Sequence, residues 1–473
     1  MTSEEIDLYL DRGFSIECPQ MVLRQNTEAS PAVYEGPGSI YQTPDGELAF
    51  KCYARTKGDF QALGRLLGSN ASKVGQIIPR DQYFNLKAVS MRGEVWLGER
   101  VLPDVSQGVD GDQIVTGGLY ELVKRVDDPT ACDQKAYVSL NFAESFDFPG
   151  NTQRTTRTFL KGVQTSFSGD WSSAVFSAAE LKCELHKHHG TVFLSASSES
   201  SMLPPNVDMR ICEALEFTFF VPARWVVREV REGPRYMAAL RPFPKIKAKQ
   251  SGRPPIKFSS APSESDVWRL FAKYLEYVLP HSESRWHPLS EDVHVVVTGD
   301  AGSLDAGLLA LSVSVEGALL VGFANLATPD DRLHHQIAAA TKLVCDSELD
   351  GSFKERLKGS LGAMNTPRAK DKLRALVDLG LIRKELMDCW ASIRNSTVHA
   401  SDIDPTEIGE LYGRYQTALT LFNELVILIV GYTGQYTDYS APGWPRRNFD
   451  KTFQESQNVR PGAPVAPGGS IEP

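Results

Sequence analysis

The sequence lacks the short motifs that mark several common enzyme classes. It has no P-loop, no G-x-S-x-G nucleophile elbow, no H-E-x-x-H zinc motif and no dinucleotide-binding fingerprint. Each of these motifs holds a phosphate, a nucleophile, a metal ion or a cofactor on a defined turn or helix. Their absence argues against the corresponding chemistry, and we expect no cofactor.

Cysteines are few and give no disulfide framework. The seven cysteines are scattered, odd in number and free of any C-x-x-C pair, which favours reduced thiols in a cytosol. The first residues are acidic, unlike a secretory signal. The densest apolar run, residues 425–430, is far shorter than the roughly 20 residues of a membrane helix. The sequence therefore predicts a cytoplasmic protein with no membrane partner.

Positive charge is in deficit over the whole chain. Fifty Lys and Arg residues stand against 59 Asp and Glu residues, which gives a net charge of −9. This balance excludes a uniformly basic nucleic-acid coat, so any contact with RNA must come from a local patch. The apolar fraction of 42% is ample for packed cores, and 473 residues suffice for two or three domains.

Residues 1–240 have the pattern of a β-rich region. A hairpin is predicted over residues 34–53, where apolar segments flank the turn Pro44-Asp45-Gly46. Residues 54–70 look helical. Further short strands are predicted over residues 83–89, 94–96, 135–140, 191–196, 214–221 and 225–230. Many short strands separated by turn residues favour a sandwich or a distorted barrel, which we assign to sensing or regulation.

A basic, proline-rich linker follows over residues 241–262. Residues 241–257 hold six cations and four prolines and no acid. This composition predicts an extended segment with no core of its own. An alternative is a basic arm that contacts phosphates.

Residues 263–436 change to helical periodicity. Apolar residues recur every three or four positions in successive segments, over 267–278, 304–323, 330–345, 353–361, 366–380, 381–399 and 404–432. Thr366-Pro367 is expected to open one helix and Gly380 to close it. The predicted fold class is thus multidomain α+β, a β-rich region followed by an all-α bundle. Residues 437–473 are expected to be a disordered tail.

The helix predicted over residues 381–399 carries the residues best suited to chemistry. Arg394 lies beside its apolar stripe, and Asn395 and His399 are four positions apart and so share one face. A fixed cation and a group that titrates near neutral pH are the side chains that metal-free RNA cleavage requires. The three side chains can converge on one phosphate.

Arg394, Asn395 and His399 match the motif of the HEPN superfamily, in which Arg is followed by a polar residue, three variable residues and then His. The chain resembles that superfamily over roughly residues 263–432, and the segment Leu311–Gly317 is similar to an early bundle helix. The layout of a β-rich region before the bundle is similar to that of ApeA-type anti-phage proteins. The resemblance implies a metal-independent endoribonuclease that forms a homodimer through its bundle and cleaves RNA at a composite site. It also implies abortive-infection defence, with a phage-derived or other trigger at the β-rich region.

Two other interpretations of this motif remain open. The bundle could be a non-catalytic HEPN module that only dimerises or binds, beside a ligand-sensing β domain. Alternatively, Arg394 and His399 could simply be cations favoured by the carboxyl end of a helix.

A run of positive charge precedes the motif and favours RNA as the partner. Residues 354–384 hold nine cations against three acids, although a solvated helix surface has the same composition. The candidate RNA-binding residues are Lys370, Lys372, Arg374, Arg383 and Lys384.

Residues 183–189 suggest a second, minor possibility. On a strand, His186 and His188 would share a face and could bind a metal ion, which would favour a β-domain hydrolase. No second ligand cluster with recognisable spacing accompanies them, so our expectation is that the protein has no metal site.

Overall fold

The computed structural model describes residues 1–27, 31–56, 77–107, 113–127, 135–160, 163–188, 190–245, 252–258, 265–328, 330–397 and 408–453. Within these ranges the chain forms two compact units. The first holds residues 1–212 and 223–245, and the second holds residues 213–222, 252–258 and 265–453. The first is dominated by one antiparallel sheet and the second by helices, so the α+β class predicted from the sequence is confirmed.

The first unit begins with helix α1 (Ser3–Leu10) and continues with the strands of the sheet. The strands are β1 (Ser15–Gln25), β2 (Val33–Gln42), β3 (Leu48–Thr56), β4 (Phe84–Val89), β5 (Val95–Val101), β6 (Asp104–Gln107), β7 (Gln113–Leu119), β8 (Leu122–Asp127), β9 (Tyr137–Phe142), β10 (Thr152–Leu160), β11 (Val163–Ala178), β12 (Leu181–His188), β13 (Thr191–Ser198), β14 (Trp225–Glu232) and β15 (Arg235–Leu240). Their order in the sheet is β10-β11-β12-β13-β9-β14-β15-β8-β5-β4-β1-β2-β3-β7-β6.

The middle of this sheet curls on itself. Five ladder steps separate β5 from β7, yet Gly98 of β5 lies against Leu119 of β7, where an added Cβ would approach the leucine to 3.1 Å. Gly38 of β2 lies still closer to its neighbour β3, where an added Cβ would come within 2.1 Å of the Lys51 carbonyl oxygen. Strands β1–β15 belong to one hydrogen-bonded sheet, and that sheet is curved. Both features agree with a distorted barrel better than with two stacked sheets.

Aromatic side chains fill the interior of the curled part. Tyr34, Phe50, Phe84 and Trp96 are at most 1% exposed, and Phe14 packs edge-on against Trp96 at 6.0 Å between ring centres. The predicted hairpin between β2 and β3 is confirmed, with Gln42 opposite Leu48 and Gly46 in the left-handed region at φ +85°. Alternating apolar residues on these strands thus build one core.

The second unit is formed by helices and one short hairpin. Helix α2 (Val207–Phe219) contributes residues to both units. The others are α3 (Ser265–Val278), α4 (Pro288–Gly302), α5 (Leu304–Gly322), α6 (Asp331–Asp346), α7 (Gly351–Ala363), α8 (Ala369–Asp378), α9 (Lys384–Thr397) and α10 (Ile408–Ile429), followed by strands β16 (Gly434–Thr437) and β17 (Arg446–Phe449). Helix α10 is buried along most of its length and packs on α5 and α9.

Three sequence-based expectations about this part of the chain are wrong. Residues 214–221, predicted as a strand, belong mainly to helix α2. The linker is not free of a core, because its Ile256 is 1% exposed and the amide of Lys257 donates to Thr437 Oγ1 at 2.7 Å. The tail is ordered at least to residue 453, since β17 pairs with β16. In the first unit, residues 54–56 of the segment 54–70 expected to be helical belong instead to strand β3. The rest of that segment and the remainder of the tail lie outside the described residues.

Candidate functional site: a cationic cleft beside Arg394

Helix α9 presents Arg394 from a well-packed stripe. Leu386, Trp390 and Ile393 are at most 2% exposed, whereas Arg394 in the last turn is exposed. The Trp390 indole N–H donates to the Ser312 carbonyl of α5 at 3.3 Å. Apolar residues at three- and four-residue spacing therefore fix α9 on α5, as the sequence predicts. The arginine is left at the edge of the packed face.

Arg394 forms an ion pair with Glu316 of helix α5. The guanidinium Nε donates to Glu316 Oε1, and this hydrogen bond raises the pKa of the arginine above its usual value. The two side chains are 45% and 33% exposed. Because solvent screens a pair this open, the interaction orients Arg394 without locking it.

A cleft of about 620 Å³ opens beside this ion pair. It is lined by Glu316, Arg368, Ala369, Lys370, Asp371, Arg374, Trp390, Ala391 and Arg394. Four of these side chains are cationic and two are carboxylates. Arg368 pairs with Asp371 at 3.2 Å, and the described residues provide no ion-pair partner for Lys370 or Arg374. The cleft therefore carries net positive charge.

The cleft also contains the amino end of helix α8. The backbone N–H of Arg368 is bound by the Asp371 carboxylate at 3.2 Å. Helix α8 starts at Ala369, two residues after the predicted Thr366-Pro367 opening, and Gly380 ends it at φ +69°, as predicted. The amino end of a helix attracts anions through its unpaired N–H groups and its dipole. Helix geometry and side-chain charge therefore favour the same class of ligand, an anion.

The structure describes the three motif residues to different extents. Arg394 is described fully, and the backbone of Asn395 continues helix α9, whereas the side chain of Asn395 and the whole of His399 lie outside the described residues. The last helical residue is Thr397. The predicted convergence of the three side chains therefore stays a prediction.

The predicted RNA-binding residues separate into different environments. Lys370 and Arg374 line the cleft. Lys384 is exposed at the start of α9 and is not among the cleft residues.

Two of the predicted RNA-binding residues are structural, which corrects the sequence interpretation. Lys372 is 3% exposed, its ammonium donates to the Leu319 carbonyl at 3.3 Å, and burial lowers its pKa. Arg383 forms ion pairs at 3.1 Å with the buried carboxylates of Glu424 and Asp438. A helical stretch rich in cations places some of them inward, and charge counting cannot tell which.

The histidines considered for a metal site lie on strand β12. His186 Nε2 is 2.9 Å from Glu184, and its ring stacks on Phe193 at 6.3 Å between ring centres. The side chain of His188 is outside the described residues. Across the described ranges, no group of three His, Cys, Asp or Glu residues could hold a metal ion. His186 is therefore assigned a structural contact.

Sequence analysis missed Glu316, Arg368, Asp371 and the wall formed by Trp390. One signal could have revealed Glu316, since it is one of two charged residues in the apolar helix α5. A charge on such a helix needs a partner or solvent. Arg368 and Asp371 carried no comparable signal, because exposed residues of that type are common.

Comparisons with models of known protein families, with functionally characterised proteins and with experimentally determined structures gave no match. The resemblance to the HEPN superfamily therefore depends on Arg394, Asn395 and His399 and on the layout of the chain.

Proposed function

We propose that this protein is a metal-independent endoribonuclease of the HEPN type, acting in the cytoplasm in defence against phage. The observation that carries the proposal is the cationic cleft at Arg394, in a chain whose net charge is −9. Local positive charge against a negative background is expected where a polyanion binds. The β-rich unit is the proposed sensor of a trigger.

The proposed reaction is attack of a ribose 2′-OH on the adjacent phosphate. A base takes the hydroxyl proton, an acid protonates the departing 5′-oxygen, and the products carry a 2′,3′-cyclic phosphate and a 5′-OH. His399 would serve as the acid or the base, since both forms of histidine are accessible near neutral pH. Its counterpart would come from a second copy of the chain across a two-fold axis. Dependence on the 2′-OH makes RNA the substrate.

Arg394 is the residue assigned to the phosphate. Its ion pair with Glu316 holds the guanidinium at the cleft, and a phosphate offers a second acceptor on the same fork of N–H donors. Charge developing on the phosphoryl oxygens would strengthen that contact in the transition state. Lys370 and Arg374 would hold neighbouring phosphates, and Asn395 would orient His399 or one phosphate oxygen.

One observation favours a second candidate, a non-catalytic bundle that binds or dimerises beside a ligand-sensing β domain. Glu316 already neutralises Arg394, and a carboxylate at that point repels a phosphate. Such a protein would bind RNA or a partner without cleaving it.

Helix α5 is the one helix within the described ranges that is long and apolar enough to cross a membrane. Half of that window is buried inside the protein, which is typical of a core helix. The proposed function therefore assigns it no membrane partner.

The test compares wild type with Arg394→Ala and His399→Ala on total RNA in EDTA, with and without phage infection extract as the trigger. Arg356→Ala, an exposed arginine on helix α7, is the matched control. We expect cleavage by wild type and the control, loss in both motif variants, cyclic-phosphate ends, and no cleavage of 2′-deoxy substrates. Equal cleavage by His399→Ala, or none by triggered wild type, would reject the nuclease proposal.

A further inference from the structure

Two of the four cations in the cleft are already paired with a carboxylate. The Arg368 guanidinium donates to Asp371 at 3.2 Å, and the Arg394 Nε donates to Glu316. Asp371 has a second role, because it also binds the Arg368 backbone N–H at the start of helix α8. Among the described residues, Arg394 is the only hydrogen-bond partner of the Glu316 carboxylate. The direct effect of Glu316 is thus on the charge of Arg394.

The packing of helices α5 and α9 keeps this carboxylate at the guanidinium. The Trp390 indole N–H donates to the Ser312 carbonyl at 3.3 Å, and Glu316 and Arg394 follow about one helical turn later on the two helices. Trp390 is 2% exposed, so the turn of α5 that carries Glu316 is anchored to α9. A ligand can turn the two side chains apart but cannot remove the carboxylate from the cleft.

The charge that a phosphate group meets at Arg394 is therefore that of a neutral pair. An internal phosphodiester of RNA carries a single negative charge, whereas a terminal phosphomonoester carries nearly two at neutral pH, because its second pKa is about 6. An unpaired arginine attracts the second charge as strongly as the first. Beside a neutral pair, that advantage of the monoester disappears.

We infer that Glu316 is a specificity-determining residue, which makes the cleft discriminate against doubly charged phosphomonoesters in favour of the phosphodiester of an internal linkage. The disfavoured ligands are free nucleotides, inorganic phosphate and strand ends that carry a phosphate. The meaning of this preference for cleavage rests on the function proposed above, since internal linkages are the ones that an endoribonuclease cuts. The binding preference itself needs no cleavage.

The size of the effect follows from the geometry of the guanidinium. Glu316 holds the Nε edge, and the contacts of the described residues leave the Nη groups to a ligand. On this planar fork of donors a bound phosphate lies about 5 Å from the carboxylate. At that separation and the dielectric constant of water, one negative charge weakens binding of a monoanion about fourfold and of a dianion about 16-fold.

A purely positioning role for Glu316 predicts a different result. Glutamine retains an oxygen that accepts from the Arg394 Nε–H, so Glu316→Gln would keep the arginine in place and change the affinity for neither ligand. A gain in affinity that increases with the charge of the ligand is therefore the sign of discrimination.

The experiment measures competition for a labelled single-stranded RNA by fluorescence anisotropy at pH 7.5 and low salt. It uses the full-length chain in the His399→Ala background, so that RNA stays intact. The competitors are a uridine dinucleotide with hydroxyl ends, which has one phosphodiester, and uridine 5′-monophosphate. Glu316→Gln is compared with Asp305→Asn, the matched control, because Asp305 is the other acid of helix α5 and is exposed outside the cleft lining.

We expect Glu316→Gln to strengthen binding of the monophosphate about 16-fold and of the dinucleotide about fourfold. Asp305→Asn should change either affinity by less than about twofold, because solvent and salt screen a distant exposed charge. Equal gains for the two competitors, no gain, or the same gains in Asp305→Asn would overturn the inference.

The same measurements separate this inference from the nuclease proposal. Unequal gains together with a triggered wild type that cleaves no RNA would reject the nuclease proposal alone. Cleavage of RNA without the unequal gains would reject the role of Glu316 alone. A labelled RNA that does not bind at all would overturn both.

Discussion

The cleft cations Lys370 and Arg374 give a quantitative prediction about RNA binding. Both side chains are exposed, both line the cleft, and the described residues provide no carboxylate partner for either. Each is therefore free to replace a condensed counterion on an RNA phosphate when RNA binds. The double variant Lys370→Ala, Arg374→Ala removes two such contacts without disturbing a packed side chain.

The expected magnitude follows from counterion release. Each phosphate that a cation neutralises on a single strand contributes about 0.7 to the slope of log K against log salt. Losing two contacts should therefore reduce that slope by about 1.4 and weaken binding about 25-fold at 0.1 M salt. The change should be similar for different RNA sequences, because the contacts are to phosphates.

The assay is fluorescence anisotropy with a labelled single-stranded RNA at several KCl concentrations, in the His399→Ala background so that RNA stays intact. Lys384→Ala is the matched control, since that lysine is exposed and lies outside the cleft lining. The reasoning is refuted if the double variant keeps the wild-type slope, or if Lys384→Ala loses as much affinity.

Three further predictions concern stability. Burial raises the pKa of Asp292 to about 7. The stability that the folded state has with a neutral Asp292 carboxyl is therefore fully present below about pH 4 and is lost as the pH rises towards 7. The free energy of unfolding of Asp292→Asn, measured in urea, should therefore rise relative to that of wild type by roughly 1–2 kcal/mol between pH 5 and pH 8. The same difference between the two proteins at both pH values would contradict this. Lys372→Met should retain stability within about 1 kcal/mol and leave RNA affinity unchanged, whereas Lys372→Ala should lose about 2 kcal/mol through the cavity it leaves; weaker RNA binding by Lys372→Met would restore the original assignment. Gly38→Ala should lose about 3 kcal/mol or more in thermal unfolding because its Cβ would meet the Lys51 carbonyl and Met21, and Gly118→Ala, which has space, should not; equal melting temperatures would show that β2 can shift.

Several elements were predictable because their sequences carry a local cause. The hairpin at Pro44-Asp45-Gly46 needs a left-handed residue, and Gly46 provides it. Helices α9 and α10 have apolar residues at three- and four-residue spacing along their length. In each case the interactions that decide the structure are within a few residues of one another.

The failures occur where contacts between residues distant in the sequence, rather than a local pattern, decide the structure. Residues 211–219 of helix α2 are all buried, so no polar face marks the helical period, and its aromatic residues favoured a strand. The linker and the tail were assigned from proline and glycine content. Both in fact contact the helical unit, where the Tyr439 hydroxyl donates to the Pro254 carbonyl at 2.8 Å. Such contacts between distant residues leave no local pattern.

The sequence by itself determined the α+β class, the change from strands to helices, and the position of Arg394 at the edge of an apolar stripe. These follow from periodicity and turn chemistry, which act over a few residues. Only the tertiary structure decided which cations are available to a ligand. It buries Lys372, pairs Arg383 with two acids, and gathers Lys370 and Arg374 around Arg394. Because charge is read from the sequence but solvation is set by packing, the cleft could be recognised only after the helices were in place.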